Sequence, residues 1–224
     1  MSSLKPYPKY KPSGVEWLGD VPEHWSVMPV KRIFMVLGGS TPKSAVPDNW
    51  DGDVIWVTPA DLSKLPTIDI HGSARMITPQ GLASCGANMV PSESIVLSTR
   101  APIGSMGVAK VPLCTNQGCK SLVPLGINNT GFYAHFFTVS SDQLNVRGKG
   151  TTFLELSGDE LGAFEVISPP SDEQTAIAIF LDRETARIDT LVDKTEQSIT
   201  LLKERRSTLI TATVTGKVDV RGDV

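Results

Sequence analysis

A heptad repeat near the carboxyl terminus constrains the fold of this chain more than any other feature. After Pro169 and Pro170, a helical pattern opens at Ser171 and runs for about forty residues, and Gly216 is a typical stop. Ser171 and Gln174 have the spacing of a capping box. The seam of the repeat and its flanks consist of Ile177, Leu181, Ile188, Leu191, Val192, Thr195, Ile199, Leu202 and Leu209.

The length of this helix requires a partner. At ~1.5 Å per residue it would extend about 60 Å, roughly twice the diameter of a small domain. The rest of the chain is too small to cover such a stripe. We therefore predict that the stripe binds another helix as a coiled coil, with the polar Thr195 in the middle of the seam.

The pattern divides the chain into a globular domain at 1–168, a long helix at 169–216 that would pair with another helix, and a short tail at 217–224. In the first part, short β-rich segments are bounded by turn formers, glycines are frequent, and aromatic residues recur at helical spacing in 130–144. The predicted strands are 54–57, 94–99, 119–124 and 163–167. We predict an α+β fold: a loop-rich globular domain with a mixed β-sheet, followed by one long coiled-coil helix.

Composition excludes several classes of protein. The chain is 40% hydrophobic and 20% charged, which is ordinary for a globular protein. Its apolar runs are too short for a membrane span, and its start lacks the apolar core of a secretory signal. Cys85, Cys114 and Cys119 form no CxxC pair, and the three histidines are dispersed. We expect reduced thiols, a cytoplasmic location, and no metal, cofactor or membrane partner.

The net charge of −3 is unevenly distributed along the chain. Residues 25–46 contain three bases and no acid, and residues 95–152 contain five bases and one acid. Two base-rich segments that converge would form a phosphate-facing surface, whereas the simpler interpretation is solvated loop charge.

Two enzyme-like strings are incomplete. Ser40 and Lys43 match the Ser-x-x-Lys of serine acyl-enzymes, but a Lys-Thr-Gly motif is absent. The Gly148–Thr152 string resembles a phosphate-binding loop without its upstream glycine. We identify no catalytic residue and predict that the protein is not an enzyme.

Eight stretches of the sequence, distributed over nearly the whole chain, resemble those of one protein family. They are YPKYKPSGVEWLGDVPEHW, GGSTPKS, DVIWVTPADL, STRAPIGSMGVA, TNQGCKSLVP, GTTFLELSGDELGAFEVISPP, EQTAIAIFLDRETARIDTLV and LLKERRSTLITATVTGKVDVR. In content and order, the chain resembles the specificity subunits of type I restriction-modification systems.

That resemblance implies a DNA reader without chemistry of its own. A target recognition domain would read a half-site in double-stranded DNA, and the long helix would act as a spacer. The helix would also dock methyltransferase (M) subunits and, through the complex, the restriction (R) subunit. Full specificity subunits have two recognition domains and two such helices, whereas this chain has one of each. It is therefore expected to be a natural half-subunit or a fragment. A half-subunit would form an antiparallel homodimer that reads a split palindrome.

Under this hypothesis, we predict DNA contacts from two groups of residues. Phosphate contacts are expected from Lys31, Arg32, Lys43, Lys120 and Lys149. Base contacts are expected from Thr41, Thr58, Arg100, Gln117, Arg147 and Thr151. Charge reversal of Arg100 and Arg147 together would abolish specific binding without unfolding the protein. The alternative function is a coiled-coil interaction or scaffold protein without DNA readout.

Overall fold

The computed structural model describes residues 5–100, 102–149 and 154–222. The chain forms two compact units, Met1–Ala178 and Ile179–Val224, which we call the lobe and the helical unit.

The lobe contains short strands separated by loops and short helices. The strands are β1 Tyr10–Pro12, β2 Asp20–Pro22, β3 Ser26–Pro29, β4 Phe34–Gly38, β5 Trp50–Val57, β6 Asp69–Ile70, β7 Met76–Ile77, β8 Ile95–Ser98, β9 Met106–Ala109, β10 Cys114–Thr115, β11 Cys119–Pro124 and β12 Glu165–Ser168. The helices are α1 Pro59–Leu62, α2 Pro79–Ala83, α3 Thr130–Val139, α4 Ser141–Arg147, α5 Gly158–Ala163 and α6 Ser171–Val214, and α6 continues into the helical unit.

These strands form small sheets of mixed direction. The largest has the order β4-β11-β8-β9-β6 and is antiparallel except for the parallel pair β6-β9. A second sheet, β10-β5-β7, pairs β10 with β5 in parallel. Two antiparallel pairs, β1-β2 and β3-β12, complete the lobe. Because β12 directly precedes α6, the β3-β12 pair holds the start of the long helix in the lobe.

Helix α3 supplies much of the lobe's apolar core. Phe132, Tyr133, Phe136 and Phe137 are all buried. Tyr133 packs edge-on against Phe34 of β4, with ring centroids 5.1 Å apart. Each fully buried aromatic or large aliphatic side chain stabilises the fold by about 1.5–3 kcal/mol. These aromatic residues therefore hold the sheet and helices together and are not available to stack on bases.

The predicted α+β fold with mixed β-structure and a long C-terminal helix is confirmed. The four predicted strands overlap β5, β8, β11 and β12. The helix predicted over 130–144 is present as two helices, α3 and α4. The break falls at Ser140, whose hydroxyl donates to the Phe136 carbonyl oxygen at 2.7 Å and whose backbone leaves the α-helical region.

The start of α6 differs from the predicted capping box. The Pro170 carbonyl accepts the Gln174 N–H at 2.9 Å, so Ser171 lies inside the first turn and does not cap it. The buried Gln174 side chain instead donates to the Pro169 carbonyl at 2.9 Å and accepts the Asn129 N–H at 2.9 Å. The first turn of α6 is therefore hydrogen-bonded to other segments of the lobe. The proposed domain limits at residues 168 and 216 stay a prediction.

An aromatic cluster from the amino-terminal arm surrounds the first turn of α6. The Glu173 carboxylate accepts hydrogen bonds from the Tyr7 hydroxyl and the Trp25 indole N–H, both at 3.0 Å. The ring nitrogen Nε2 of His24 lies 2.6 Å from the other carboxylate oxygen. Trp17 stacks on Phe164 with ring centroids 6.0 Å apart. Trp17 and Trp25 thus anchor the amino-terminal arm to the rest of the lobe.

Replacing Glu173 with glutamine should destabilise the lobe at neutral pH. Partial burial disfavours the charged carboxylate, but the hydrogen bonds from Trp25, His24 and Tyr7 outweigh it and hold the pKa of Glu173 below its usual value. Because the pKa is lowered on folding, this stabilisation is full above pH ~4.5 and is lost as the pH falls through the folded pKa. We expect Glu173→Gln to cost about 1–3 kcal/mol at pH 7.

The measurement is urea unfolding, followed by tryptophan fluorescence, at pH 7 and at pH 3. The difference between wild type and Glu173→Gln should shrink at the lower pH. Asp172→Asn, which neutralises the neighbouring carboxylate in the same helical turn, serves as the control and should cost less than ~1 kcal/mol. An equal cost for both variants at pH 7 would contradict the role of this cluster.

The helical unit presents an uncovered apolar stripe. Of the predicted seam, Ile177 packs on the lobe core and Leu181 is half-buried. Ile188, Leu202 and Leu209 are 56%, 62% and 59% exposed. The remaining members are exposed as well: Leu191, Val192, Thr195 and Ile199. Exposed apolar surface on this scale marks an interaction site.

The end of α6 has the predicted form. Gly216 follows the last turn with φ of +72°, a left-handed conformation that glycine adopts without strain. Within the part of the chain that the structure describes, no helix is long and apolar enough to cross a membrane.

Candidate nucleic-acid interface

A tight turn after β10 is the centre of the candidate site. The Asn116 N–H donates to the Val57 carbonyl at 2.9 Å, which fixes the turn against the end of β5. The Asn116 side chain accepts the Gly118 N–H at 2.9 Å, as in an Asx turn. Gln117, between them, is exposed. The turn therefore presents one amide side chain from a rigid backbone.

The loop after β4 packs directly on this turn. The Ser40 N–H donates to the Thr115 carbonyl at 2.9 Å, and the Trp56 indole N–H donates to the Ser40 carbonyl at 2.9 Å. A Cβ on Gly39 would lie 2.2 Å from the Thr115 carbonyl oxygen, so only glycine permits this approach. The Thr41 hydroxyl then donates to the Gln117 side-chain oxygen. Two predicted base contacts are thereby brought together.

Thr58 lies beside the same turn, but its hydroxyl is engaged within the protein. A Cβ on Gly118 would meet the Pro59 ring at 2.9 Å, which places the start of α1 against the turn. The Thr58 hydroxyl donates to the Asp61 carboxylate at 2.6 Å and caps α1. A base contact from Thr58 would require this cap to open.

Two predicted cations, Arg100 and Lys149, are connected to the turn through Thr99 and through their shared backbone bridges to Glu155. The Thr99 N–H donates to the Gly118 carbonyl at 2.8 Å, which places the next residue, Arg100, close to the turn. Arg100 forms an ion pair with Glu155 at 3.2 Å, and the Lys149 ammonium lies 2.5 Å from Glu160.

Glu160, the acidic partner of Lys149, has a lowered pKa because positive charges lie near it. The hydrogen bond and charge of Lys149, and more weakly the charge of Arg147, hold the pKa of Glu160 below its usual value. Both Arg147 and Lys149 thus act on the same carboxylate. Arg147 has a second role, since its guanidinium lies 5.2 Å from the centre of the buried Phe164 ring.

Two further predicted lysines, Lys31 and Lys120, lie beside α5. A Cβ on Gly162 would lie 3.5 Å from the Lys31 Cβ, and one on Gly158 would lie 4.0 Å from the Lys120 Cε. A Cβ on Gly38 would lie 3.3 Å from the Lys120 ammonium, so this lysine reaches the loop that carries Thr41.

We call Thr41, Thr58, Arg100, Gln117, Lys120 and Lys149 the polar face, because short contacts join each of them to the 115–118 turn or to a segment beside it. Lys31, Arg32 and Lys43 are exposed, but none of the contacts above ties them to the turn. Thr151 lies outside the described residues.

Some residues near the polar face were not identified from the sequence. Asn116 builds the turn, and the Asn-x-Gly string could have revealed it as a turn former. Arg75 lies over the Trp50 ring, with its guanidinium carbon 3.9 Å from the ring centre. Arg75 and Trp50 are far apart in the sequence, so no local pattern marks this contact.

Two of the three cysteines are buried in the lobe. Cys114 and Cys119 are buried free thiols, and burial raises the pKa of each to about 12. Within residues 5–100, 102–149 and 154–222, no group of three or more histidine, cysteine or acidic side chains is placed to hold a metal ion.

Comparison with known proteins extends over most of the chain. A family model described as the type I restriction modification DNA specificity domain matches residues 22–201. The chain is 38% identical over 166 residues to the type I restriction enzyme MjaIX specificity subunit of Methanocaldococcus jannaschii. That match covers 73% of this chain and 38% of the relative.

Solved structures share the fold. One is a chain from a structural study of complex assembly and conformational transition of the type I R-M system. The two chains have a TM-score of 0.72 and are 18% identical, and the match covers 87% of this chain and 46% of the other. Another is the HsdS subunit from Thermoanaerobacter tengcongensis, with a TM-score of 0.61 and 18% identity over 81% of this chain and 41% of that one. The chain thus spans less than half the length of these relatives.

Proposed function

The chain belongs to the type I restriction-modification DNA specificity family, and from that membership we propose that it reads one half-site of a double-stranded DNA target. The observation that carries the proposal is the convergence of the polar face. Segments separated by more than a hundred residues place an amide, a hydroxyl and three cations around one rigid turn. A scaffold protein that does not read DNA has no need for this arrangement.

In the ion pairs of the polar face, DNA phosphates can replace the carboxylates that now bind Arg100 and Lys149. The side chains of Arg100 and Lys149 are 46% and 78% exposed, so their pairs with Glu155 and Glu160 are surface pairs. Such pairs contribute about 0–1 kcal/mol and are easily replaced. Phosphate oxygens can take the place of the carboxylates, while the guanidinium of Arg100 can also reach a guanine edge.

The exposed stripe of α6 supports the proposal of an antiparallel homodimer that also docks M subunits. Residues 179–198 contain five acids and three bases, whereas residues 199–214 contain three bases and one acid. An antiparallel pair places the acidic half of each helix against the basic half of the other. A parallel pair would oppose like charges, so charge favours the antiparallel arrangement.

The chain supplies no chemistry in this proposal. Methyl transfer belongs to the M subunits and cleavage to the R subunit, which joins through the complex. This division is consistent with the sequence, in which no nucleophile, base and acid combination was identified.

Binding to DNA should weaken steeply with salt. The logarithm of the association constant for a 30-base-pair duplex should fall against the logarithm of salt concentration with a slope of ~0.9 per phosphate contacted. Lys120→Gln and Lys149→Gln should each reduce that slope by about one. Fluorescence anisotropy between 50 and 300 mM salt is the measurement.

The matched control is Lys9→Gln, since Lys9 is an exposed lysine paired with Glu23 at 3.8 Å and lies outside the polar face. It should leave the slope unchanged. An affinity that does not respond to salt in the wild type would favour the scaffold alternative.

A further inference from the structure

The contact between Thr41 and Gln117 restrains an exposed amide. The Thr41 hydroxyl donates to the Gln117 side-chain oxygen Oε1. That bond uses one lone pair of Oε1 and leaves the other available. Among the described residues, no partner for the Gln117 amide nitrogen Nε2 is present. One acceptor position and two donor protons therefore remain for a ligand.

The backbone beneath this pair is held from several directions. Ser40 binds Thr115 and Trp56, Asn116 binds Val57, and the Asn116 side chain closes the turn at Gly118. Because these bonds fix both loops, Thr41 and Gln117 meet without any further ordering. A contact group held in place before binding loses less entropy on binding.

A glutamine amide matches the edge of one base. Adenine presents a donor, N6–H, beside an acceptor, N7, in the major groove, and glutamine pairs with both through Oε1 and Nε2. The hydrogen bond to Thr41 limits the motion of the Gln117 side chain, so the amide loses less freedom when it meets this edge.

We propose that Gln117 is a specificity-determining residue that reads an adenine in the half-site, and that Thr41 is a positioning residue that holds the Gln117 side chain in place. This inference rests on the proposed function and assigns one base type to one side chain.

The test is selection of DNA from a randomised duplex library by the full chain assembled with its M subunits. Gln117→Ala should lower the preference for adenine at one position about tenfold or more, while the other positions stay unchanged. Thr41→Val, which keeps the shape and removes the hydroxyl, should lower the preference at that same position about threefold or more. Thr41→Ser retains the hydroxyl and should keep the wild-type preference.

The double variant provides a second check. If Thr41 acts only through Gln117, Thr41→Val should add nothing to Gln117→Ala at that position. A merely structural Thr41 would instead weaken all positions equally or lower the thermal midpoint.

Each failure has its own signature. An unchanged motif in Gln117→Ala would overturn the assignment while leaving the rest of the half-site readout, and so the proposed function, intact. A wild-type preference in Thr41→Val, with loss in Gln117→Ala, would remove Thr41 from the assignment. A wild-type complex that assembles but selects no motif would overturn both the assignment and the proposed function.

Discussion

Replacing Arg100 and Lys149 together with glutamate is expected to abolish sequence-specific DNA binding while the lobe stays folded. Among the described residues, each cation makes one ion pair, with a half-buried carboxylate, and is itself well exposed, so its loss costs the fold little. In the complex, each would make a charge-assisted contact worth about 1.5–3 kcal/mol. Together the reversals should weaken specific binding roughly a hundredfold or more.

The structure favours this pair over the Arg100 and Arg147 pair predicted from the sequence. The Arg147 guanidinium lies over the Phe164 ring, so its reversal would also remove a cation–π contact of about 0.5–2 kcal/mol. Loss of binding in that variant would then mix an effect on the fold with an effect on the interface.

The measurement is anisotropy with a duplex that carries the mapped site, together with the thermal midpoint of each variant. Arg100→Gln with Lys149→Gln is the milder variant and should lose less affinity. Lys9→Glu with Lys11→Glu changes the net charge equally, on and just before β1, and should retain most of the binding. Unchanged site choice in the Arg100→Glu and Lys149→Glu variant would show that the polar face does not read DNA.

Replacing Ile188 and Leu202 with aspartate should dissociate the proposed homodimer. Both side chains lie on the exposed stripe of α6, and a two-fold dimer buries each of them twice. Burial of an unpaired carboxylate costs several kcal/mol, so the dimer dissociation constant should rise at least about a hundredfold.

Sedimentation equilibrium provides this measurement, with circular dichroism to confirm that the helix persists. Leu201→Asp is a matched control, because Leu201 is next to Leu202 and 64% exposed but lies outside the predicted seam. It should leave the dimer intact. A monomeric wild type at micromolar concentration would contradict the homodimer and favour a second helix in a longer protein as the natural cover of the stripe.

The sequence predicted α6 well because its signal is local and repeated. A seven-residue period continues through Leu181, Ile188, Thr195, Leu202 and Leu209, so each turn of the helix adds to the same pattern. The strands of two residues, β6, β7 and β10, were not predicted. Alternation over two residues carries no signal, and these strands form because their neighbours in the sheets hold them.

The polar face was predictable only in part. Base-rich segments indicated a phosphate-facing surface, and Arg100, Lys120 and Lys149 came from them. Their meeting around the 115–118 turn depends on sheet pairings that join β4, β8, β10 and β11 to distant parts of the chain. The cluster around Glu173 is similar, since the Trp25 contact spans 148 residues. The sequence analysis also did not predict that the Thr58 hydroxyl is bound to Asp61 at the start of α1. That contact depends on the local backbone conformation, which the residue type alone does not indicate.

The most direct measurement is a genome-wide map of adenine methylation in an unmodified host that co-expresses this chain with its M subunit. The proposed half-site reader predicts a split motif, palindromic about an unread spacer, that is absent when the chain carries Arg100→Glu and Lys149→Glu. A complex that assembles and produces no motif, or a motif that the double variant leaves unchanged, would contradict DNA reading by the polar face.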